Sequence, residues 1–287
     1  MTQKEKAELF LKLHHDDDVL VLLNSWDPGS SKLVEACGFK AVATTSMGIS
    51  ASLGYPDCQA IQFAEMLEAV KKISLSVRLP VTVDIEGGFG RDIKQIVNNI
   101  EKVISTGVVG INIEDSVNLS PKLLDETEFC ERISAIRKLS DSRGIHLVIN
   151  ARTDAFITAS GTPEECLVES IKRGNKYREA GADCIFVPNV VQADMISALV
   201  KEINAPINIL SNPTNGAGLP PSVSELRDLG VARLSVGSSV MKSTLLLIKN
   251  IAEEMLQKDS FDNLSKASTP ASEVINAYKM ATGTSEK

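Results

Sequence analysis

An α/β barrel of eight parallel strands, (β/α)8, is the fold the sequence predicts. Eight short, β-rich apolar runs alternate with longer amphipathic stretches. The runs are continuously apolar rather than strictly alternating, as strands buried on both faces are. The first turn, NSWDPGSS at 24–31, lacks the GxGxxG that often opens the competing layout, a doubly wound open sheet. Eight strand–helix units in about 240 residues match a barrel.

VLVLLN (19–24) is the first strand, and SSKLVEACG (30–38) after it has apolar residues at helical spacing. AVATTS (41–46) follows, then the helix FAEMLEAVKKISLSV (63–77) and the strand VTVDIE (81–86). IKQIVNNIEKVIS (93–105) leads to GINIED (110–115), and FCERISAIRKLSDS (129–142) to LVINART (147–153). The helix of 163–181 opens on Thr162-Pro163 and stops at Gly181, ahead of CIFVPN (184–189). ADMISALVKEI (193–203) precedes INIL (207–210), and SVSELRDLG (222–230) precedes RLSVG (233–237). A long helix over 238–258 completes a single barrel domain of residues 1–258. The remainder, 259–287, reads as a polar linker (259–272) and a short helix, EVINAYKMAT (273–282).

Composition narrows the function. The 287 residues carry 30 basic and 37 acidic groups, a net charge of −7 with no long like-charge block, which argues against nucleic acid as a partner. Aromatics at 4% leave little for base stacking. Five cysteines without a C-x-x-C, and three histidines, offer neither a zinc ribbon nor a histidine metal site, and the thiols read as reduced. The N-terminus lacks the apolar core of a signal peptide, and no apolar run approaches the roughly 20 residues of a membrane span. A cytoplasmic protein with no membrane partner is expected.

Barrel enzymes place their chemistry at the C-terminal ends of strands. Here those ends carry Asn24, running into Ser25-Trp26-Asp27, then Ser46-Met47-Gly48, Asp84 with Glu86, Glu114-Asp115, and Arg152 with Asp154. Asp84 and Glu86, two apart on a strand, are expected to share a face. With Glu114 beside them they would repel unless a cation neutralised them. A hard divalent ion fits, Mg2+ or Mn2+ in its place; ordinary ion pairs with Arg152 or Arg91 are the alternative. Gly87-Gly88-Phe89-Gly90 is read either as backbone close to a ligand or as a plain turn. Ser46-Met47-Gly48 could offer N–H groups to a carboxylate, and Gly237-Ser238-Ser239 is an anion site or a helix cap.

These residues resemble the isocitrate lyase and phosphoenolpyruvate mutase superfamily. The matching pieces are NSWDPGSS (24–31), TTSMGISASLGYPD (44–57), VTVDIEGGFG (81–90), GINIEDS (110–116), NARTDAF (150–156) and AGADCIFVP (180–188), in family order. The resemblance implies a barrel whose last helix is exchanged between subunits of a homotetramer. It implies Mg2+ at Asp84, with Glu86 and Glu114 acting through bound water. Ser46, Met47, Gly48 and Trp26 would bind a small-molecule 2-oxo carboxylate, and Arg152 and Asp57 are the candidate catalytic residues, Arg152 also gripping substrate oxygens. The implied chemistry is bond cleavage at C3 of a 2-oxo acid through a metal-stabilised, pyruvate-type enolate.

The sequence departs from two branches. The K-K-C-G-H loop of isocitrate and methylisocitrate cleavage is replaced by SVNLSPKLLDETEFCERI (116–133), whose Cys130 reads as a core thiol. Those lyases are also expected to have a glutamate where this chain has Pro188-Asn189. The E-D-K-x-F-P-K loop of phosphonate chemistry meets Ser116 in place of its lysine, with Pro121-Lys122 two residues late. A lyase of an oxaloacetate-like 2-oxo dicarboxylate is therefore expected. Phosphonopyruvate-type mutase or hydrolase chemistry, or a barrel that only binds a 2-oxo acid, are the alternatives. The C3 substituent would meet the 116–130 segment and Asn189, Asn212 and Asn215.

Overall fold

The computed structural model describes residues 1–116, 122–158, 161–213 and 218–282. Asn215 and residues 117–121 of the segment expected to read the substrate lie outside them.

Among the described residues nine strands run parallel in one sheet: β1 (Leu20–Leu22), β2 (Asn24–Ser25), β3 (Val42–Thr44), β4 (Val81–Asp84), β5 (Gly110–Glu114), β6 (Val148–Arg152), β7 (Cys184–Val187), β8 (Ile207–Leu210) and β9 (Arg233–Ser235). The eight expected strands are all present, and the ninth comes from splitting the first. Leu23 interrupts it, so β1 pairs with β9 while β2 pairs with β3. One barrel stave thus changes neighbour half-way up and closes the ring.

Helices α1 (Gln3–Leu13), α2 (Pro28–Ala36), α3 (Ser46–Ser52), α4 (Phe63–Ser76), α5 (Ile93–Ile104), α6 (Glu126–Arg143) and α7 (Ala155–Thr158) precede β7. After them come α8 (Pro163–Glu179), α9 (Ala193–Glu202), α10 (Val223–Asp228), α11 (Ser239–Lys258), α12 (Asp262–Ala267) and α13 (Ala271–Thr282). Their apolar stripes cover the outside of the barrel: Val70, Ile73, Ile100 and Ile136 are fully or almost fully buried with Val83, Ile111 and Ile149. Burying such side chains stabilises by roughly 1.5–3 kcal/mol each.

The inner face of the barrel is partly polar, although the strands read as continuously apolar runs. Because side chains alternate along a strand, Ile111 and Ile113 face the helices while Asn112 faces inward. Asn112, Asn150 and Arg233 meet across the barrel axis, the Asn150 amide donating to Asn112 Oδ1 at 2.8 Å. Below them α1 plugs the ring with Ala7, Phe10 and Leu13. Gly110 makes room for the plug, since a Cβ there would lie 2.6 Å from the Phe10 ring.

Two features concern the C-terminal region. The expected polar linker contains α12, and α13 returns to pack along α2, with Lys32 Nζ 5.6 Å from the centroid of the Tyr278 ring. By contrast α11 is poorly covered. Of its 20 residues only Met241 and Glu254 are buried, and Leu245, Leu246, Leu247, Ile248 and Leu256 are exposed. Among the described residues no helix is long and apolar enough to cross a membrane.

Candidate active site

The C-terminal ends of the strands enclose a cavity of about 300 Å3, lined by Ser46, Met47, Asp57, Asp84, Asn112 and Arg152 among others. Asp84 ends β4, where its N–H donates to Thr44 Oγ1 at 3.1 Å. Its Oδ2 accepts the Ser46 hydroxyl at 2.9 Å and the Ser46 N–H at 3.4 Å, and its Oδ1 the Glu86 N–H at 3.3 Å. Three donors, two from Ser46 at the start of α3 and one from the turn after β4, therefore fix this carboxylate at the mouth.

Glu86 reaches the mouth by a different route from the one its spacing suggests. The strand stops at Asp84, and Glu86 sits in a turn with φ of 50°, so strand alternation does not aim it. The turn instead buries its carboxylate beside Asp57 and Cys58, with one ligand atom from each within 4.8 Å of the others. Burial, followed by the charges of Asp84, Asp57 and Glu114, pushes Glu86 up to about 9. Burial likewise raises Asp57, and it raises the Cys58 thiol to about 11 with the carboxylates adding to the effect.

Glu114 and Arg152 are register partners at the ends of β5 and β6. That register lets Arg152 Nη1 donate to Glu114 Oε2 at 2.8 Å. The same guanidinium donates to both Asp154 oxygens, at 2.5 and 3.1 Å, and its carbon lies 5.8 Å from the Phe186 ring centroid. Ser116 lies between the two carboxylates, its hydroxyl donating to Asp154 Oδ2 at 2.6 Å with Glu114 Oε1 3.2 Å away. Burial disfavours charge on both partners. Glu114, Asp154 and Asp84 nevertheless hold Arg152 well above the usual arginine range, so it stays charged.

Ion pairing with Arg152 therefore accounts for Glu114 and Asp154, and not for the remaining acids of the mouth. Among the described residues no salt bridge reaches Asp57, Asp84 or Glu86, and Arg91 offers only its backbone N–H to Gln95. The buried oxygens Glu86 Oε1 and Asp57 Oδ1 have no hydrogen-bond partner. Hard oxygen donors, excess negative charge and orphaned carboxylate oxygens together fit a divalent cation.

Other expected residues fall elsewhere. Trp26 lies behind the mouth, in an outer groove with Pro28, Leu53 and Ala69. Gly48 packs directly on it, because a Cβ at 48 would lie 2.8 Å from Trp26 Cβ and 2.5 Å from Thr45 Cγ2. Gly48 is buried, and its N–H donates to Thr45 Oγ1 at 3.4 Å. The 87–90 glycines serve a tight turn over α5, where a Cβ on Gly90 would meet the Ile96 nitrogen at 2.8 Å. Ser238 lines the cavity at the start of α11 and makes no side-chain cap. Cys130 lies on α6, half-buried against the core. Sequence reasoning passed over Cys58 and Asn112, and it named Asp154 and Ser116 without giving either a role at the site. Asn112 was detectable, since it stands two residues before Glu114 on the same strand.

The family model for phosphoenolpyruvate phosphomutase matches residues 10–256. The chain belongs to that family. Its members include carbon–carbon lyases and mutases, and the protein is an enzyme of that superfamily. The chain is 35% identical over 230 residues to Rv1998c, an uncharacterized protein of Mycobacterium tuberculosis, covering 80% of this chain and 81% of that one. It is 31% identical over 237 residues to the 2-methylisocitrate lyase of Bacillus subtilis, covering 80% and 74%. A solved structure from Burkholderia cenocepacia superposes with a TM-score of 0.88 at 30% identity, over 96% of each chain.

Proposed function

We propose that the protein is a Mg2+-dependent lyase of a small, oxaloacetate-like 2-oxo dicarboxylate. The observation that carries this reading is one small cavity lined by Asp57 and Asp84, which no salt bridge reaches among the described residues, and by a fixed, charged arginine. Asp84 would hold the ion directly, Glu86 and Glu114 through water, with Asp57 beside them; Mn2+ would serve in its place. Bound there, the ion supplies Lewis-acid polarisation of the substrate's carboxylate and ketone oxygens.

The chain's own groups do the rest. Arg152, held by Glu114 and Asp154, presents its guanidinium to the oxygens on which negative charge grows as the bond at C3 breaks. Met47 and Ser46 border the same space and would seat the 2-oxo carboxylate. Asn189 and Asn212 line the side where the C3 substituent would lie, offering neutral donors and acceptors. A cavity of about 300 Å3 suits a substrate of this size. The absence of a K-K-C-G-H sequence after β5 argues against tricarboxylate cleavage. Assembly belongs to the same proposal: the uncovered α11 suits exchange with a neighbour in a cytoplasmic homotetramer.

Proton and phosphorus NMR of the protein with oxaloacetate, phosphonopyruvate, 2-methylisocitrate and 2-methylmalate, each with Mg2+ and with EDTA, tests the reading. Metal-dependent pyruvate from oxaloacetate well above the protein-free rate is expected. Turnover of phosphonopyruvate instead would move the enzyme to phosphorus–carbon chemistry. Silence from folded, Mg2+-binding protein would favour a barrel that binds a 2-oxo acid without turning it over.

A further inference from the structure

Arg233 lies fully buried inside the barrel, and among the described residues no carboxylate forms an ion pair with it. An isolated buried charge is among the costliest groups a fold can carry. Its Nη2 donates to Asn112 Oδ1 at 3.1 Å, its Nη1 lies 3.4 Å from His14 Nε2, and its Nε has no partner. His14 Nδ1 meets the Phe10 carbonyl at 2.8 Å, so Nδ1 carries the proton and Nε2 turns its lone pair to Arg233. The Phe10 ring centroid, 5.9 Å from the guanidinium carbon, closes the other side.

Asn112 is the link from this charge to the active site. Its Oδ1 accepts from Arg233 and, at 2.8 Å, from Asn150 Nδ2. Two donors converging on one oxygen settle the orientation of the amide: Oδ1 faces them, and the two Nδ2 hydrogens point away. Asn112 is itself a wall of the cavity, paired in register with Asp84 on one side and Asn150 on the other. The free face of its amide is therefore a donor.

We propose that Arg233 is a positioning residue. With Asn150 it locks Asn112, so that the Asn112 amide donates to an oxygen of the anionic substrate at the cavity floor, and its own charge adds positive potential beneath that anion. The inference rests on reading the cavity as a 2-oxo carboxylate site. A purely structural Arg233 would influence stability and leave ligand affinity alone.

Calorimetric titration of the full chain with oxalate in the presence of Mg2+ separates these roles. Asn112→Asp keeps both acceptor contacts and gives Arg233 a carboxylate partner, so the variant melts at or above the wild-type temperature. It replaces the donor by a charged acceptor, and oxalate binding weakens by roughly ten- to a hundredfold. Affinity for Mn2+ alone is kept or strengthened by the added carboxylate. Arg233→Met removes the buried charge and frees the amide to flip, and oxalate affinity falls by about three- to tenfold. If Arg233→Met does not fold, Asn112→Asp decides alone. Wild-type oxalate affinity in a folded variant overturns the inference, as does a loss in Asn112→Asp matched by an equal loss of Mn2+ binding. A wild-type protein that binds no oxalate overturns the site reading itself, a result visible before any variant is made.

Discussion

Asp154 grips Arg152 from two residues further along the chain, with Nε 2.5 Å from Oδ1 and Nη2 3.1 Å from Oδ2. Two parallel hydrogen bonds fix the plane of a guanidinium as one cannot. Asp154 is in turn buried, and its N–H donates to Asp115 Oδ1 at 2.9 Å. Asp154→Asn keeps the shape but loses the charge and one acceptor. Oxalate affinity with Mg2+ is expected to fall about tenfold, the cost of one charge-assisted hydrogen bond. Calorimetry reads it, and unchanged affinity would mean that Arg152 does not meet the anion in this orientation.

Three hydrogen bonds fix the Asp84 carboxylate at the mouth. Asp84→Ala is expected to abolish turnover and to leave Mn2+ free in solution, while circular dichroism shows the barrel intact. Electron paramagnetic resonance of free Mn2+ measures this directly. Glu86→Gln is expected to weaken Mn2+ binding by less, since that residue is assigned to act through water. Retained turnover by Asp84→Ala would sink the metal assignment.

The barrel and its acidic mouth were legible in the sequence because each depends on a local signal. Apolar runs marked the strands, and Asp84, Glu114 and Arg152 stood at their ends. Glu86 was found for the wrong reason: its spacing suggested a strand, whereas a left-handed turn carries it into the site. Arg233 stayed hidden because it sits singly among apolar neighbours, and only closure of the ring brings it to Asn112, which is also held by Asn150. Trp26 belonged to a motif, but its ring serves the back of α3. Asp57 and Cys58 meet Glu86 through long-range packing that no periodicity records.

A buried cluster also ties the wall of the site to α8. Asp115 Oδ2 accepts the Tyr177 hydroxyl at 2.6 Å and Arg173 Nη1 at 3.2 Å, and Arg173 also donates to the Leu124 carbonyl at 3.0 Å. Burial raises Asp115, while its hydrogen bonds and Arg173 oppose the shift. Tyr177→Phe leaves the carboxylate one donor short inside the protein. A loss of about 1–3 kcal/mol is expected in urea denaturation at pH 7. A loss within error would mean that Arg173 and the Asp154 N–H satisfy Asp115 unaided.

The exposed apolar surface of α11 has a consequence for assembly. Leu246 at 56% and Leu256 at 87% exposure are unlike the single apolar residues of ordinary surfaces, because they share one helix with Leu245, Leu247 and Ile248. Light scattering is expected to give a mass several times the 30.9 kDa of one chain. Leu246→Glu with Leu256→Glu should reduce it. A monomeric wild type would contradict exchange of this helix.

His14 provides a test by pH. Burial, and then the charge of Arg233, push it down to about 3, against the pull of the Phe10 carbonyl. An unfolded histidine titrates near 6.5, at about which pH the unfolded chain begins to take up a proton that the fold refuses. The unfolded state then binds more protons, so stability is fully present above about 6.5 and is lost as pH falls towards 3. At pH 5 the loss amounts to about 2 kcal/mol. Glu86, raised in the fold, acts in the opposite direction over the same range, so wild-type stability alone does not isolate the effect. His14→Gln does, since its amide can donate to Phe10 and accept from Arg233 without titrating. The stability gap between wild type and variant in urea should narrow by about 2 kcal/mol from pH 7.5 to pH 5. A gap that does not move would mean that His14 takes up its proton inside the fold, next to Arg233. In that case the neutral lone pair facing the guanidinium would be lost, and with it the arrangement that holds Arg233 beneath Asn112.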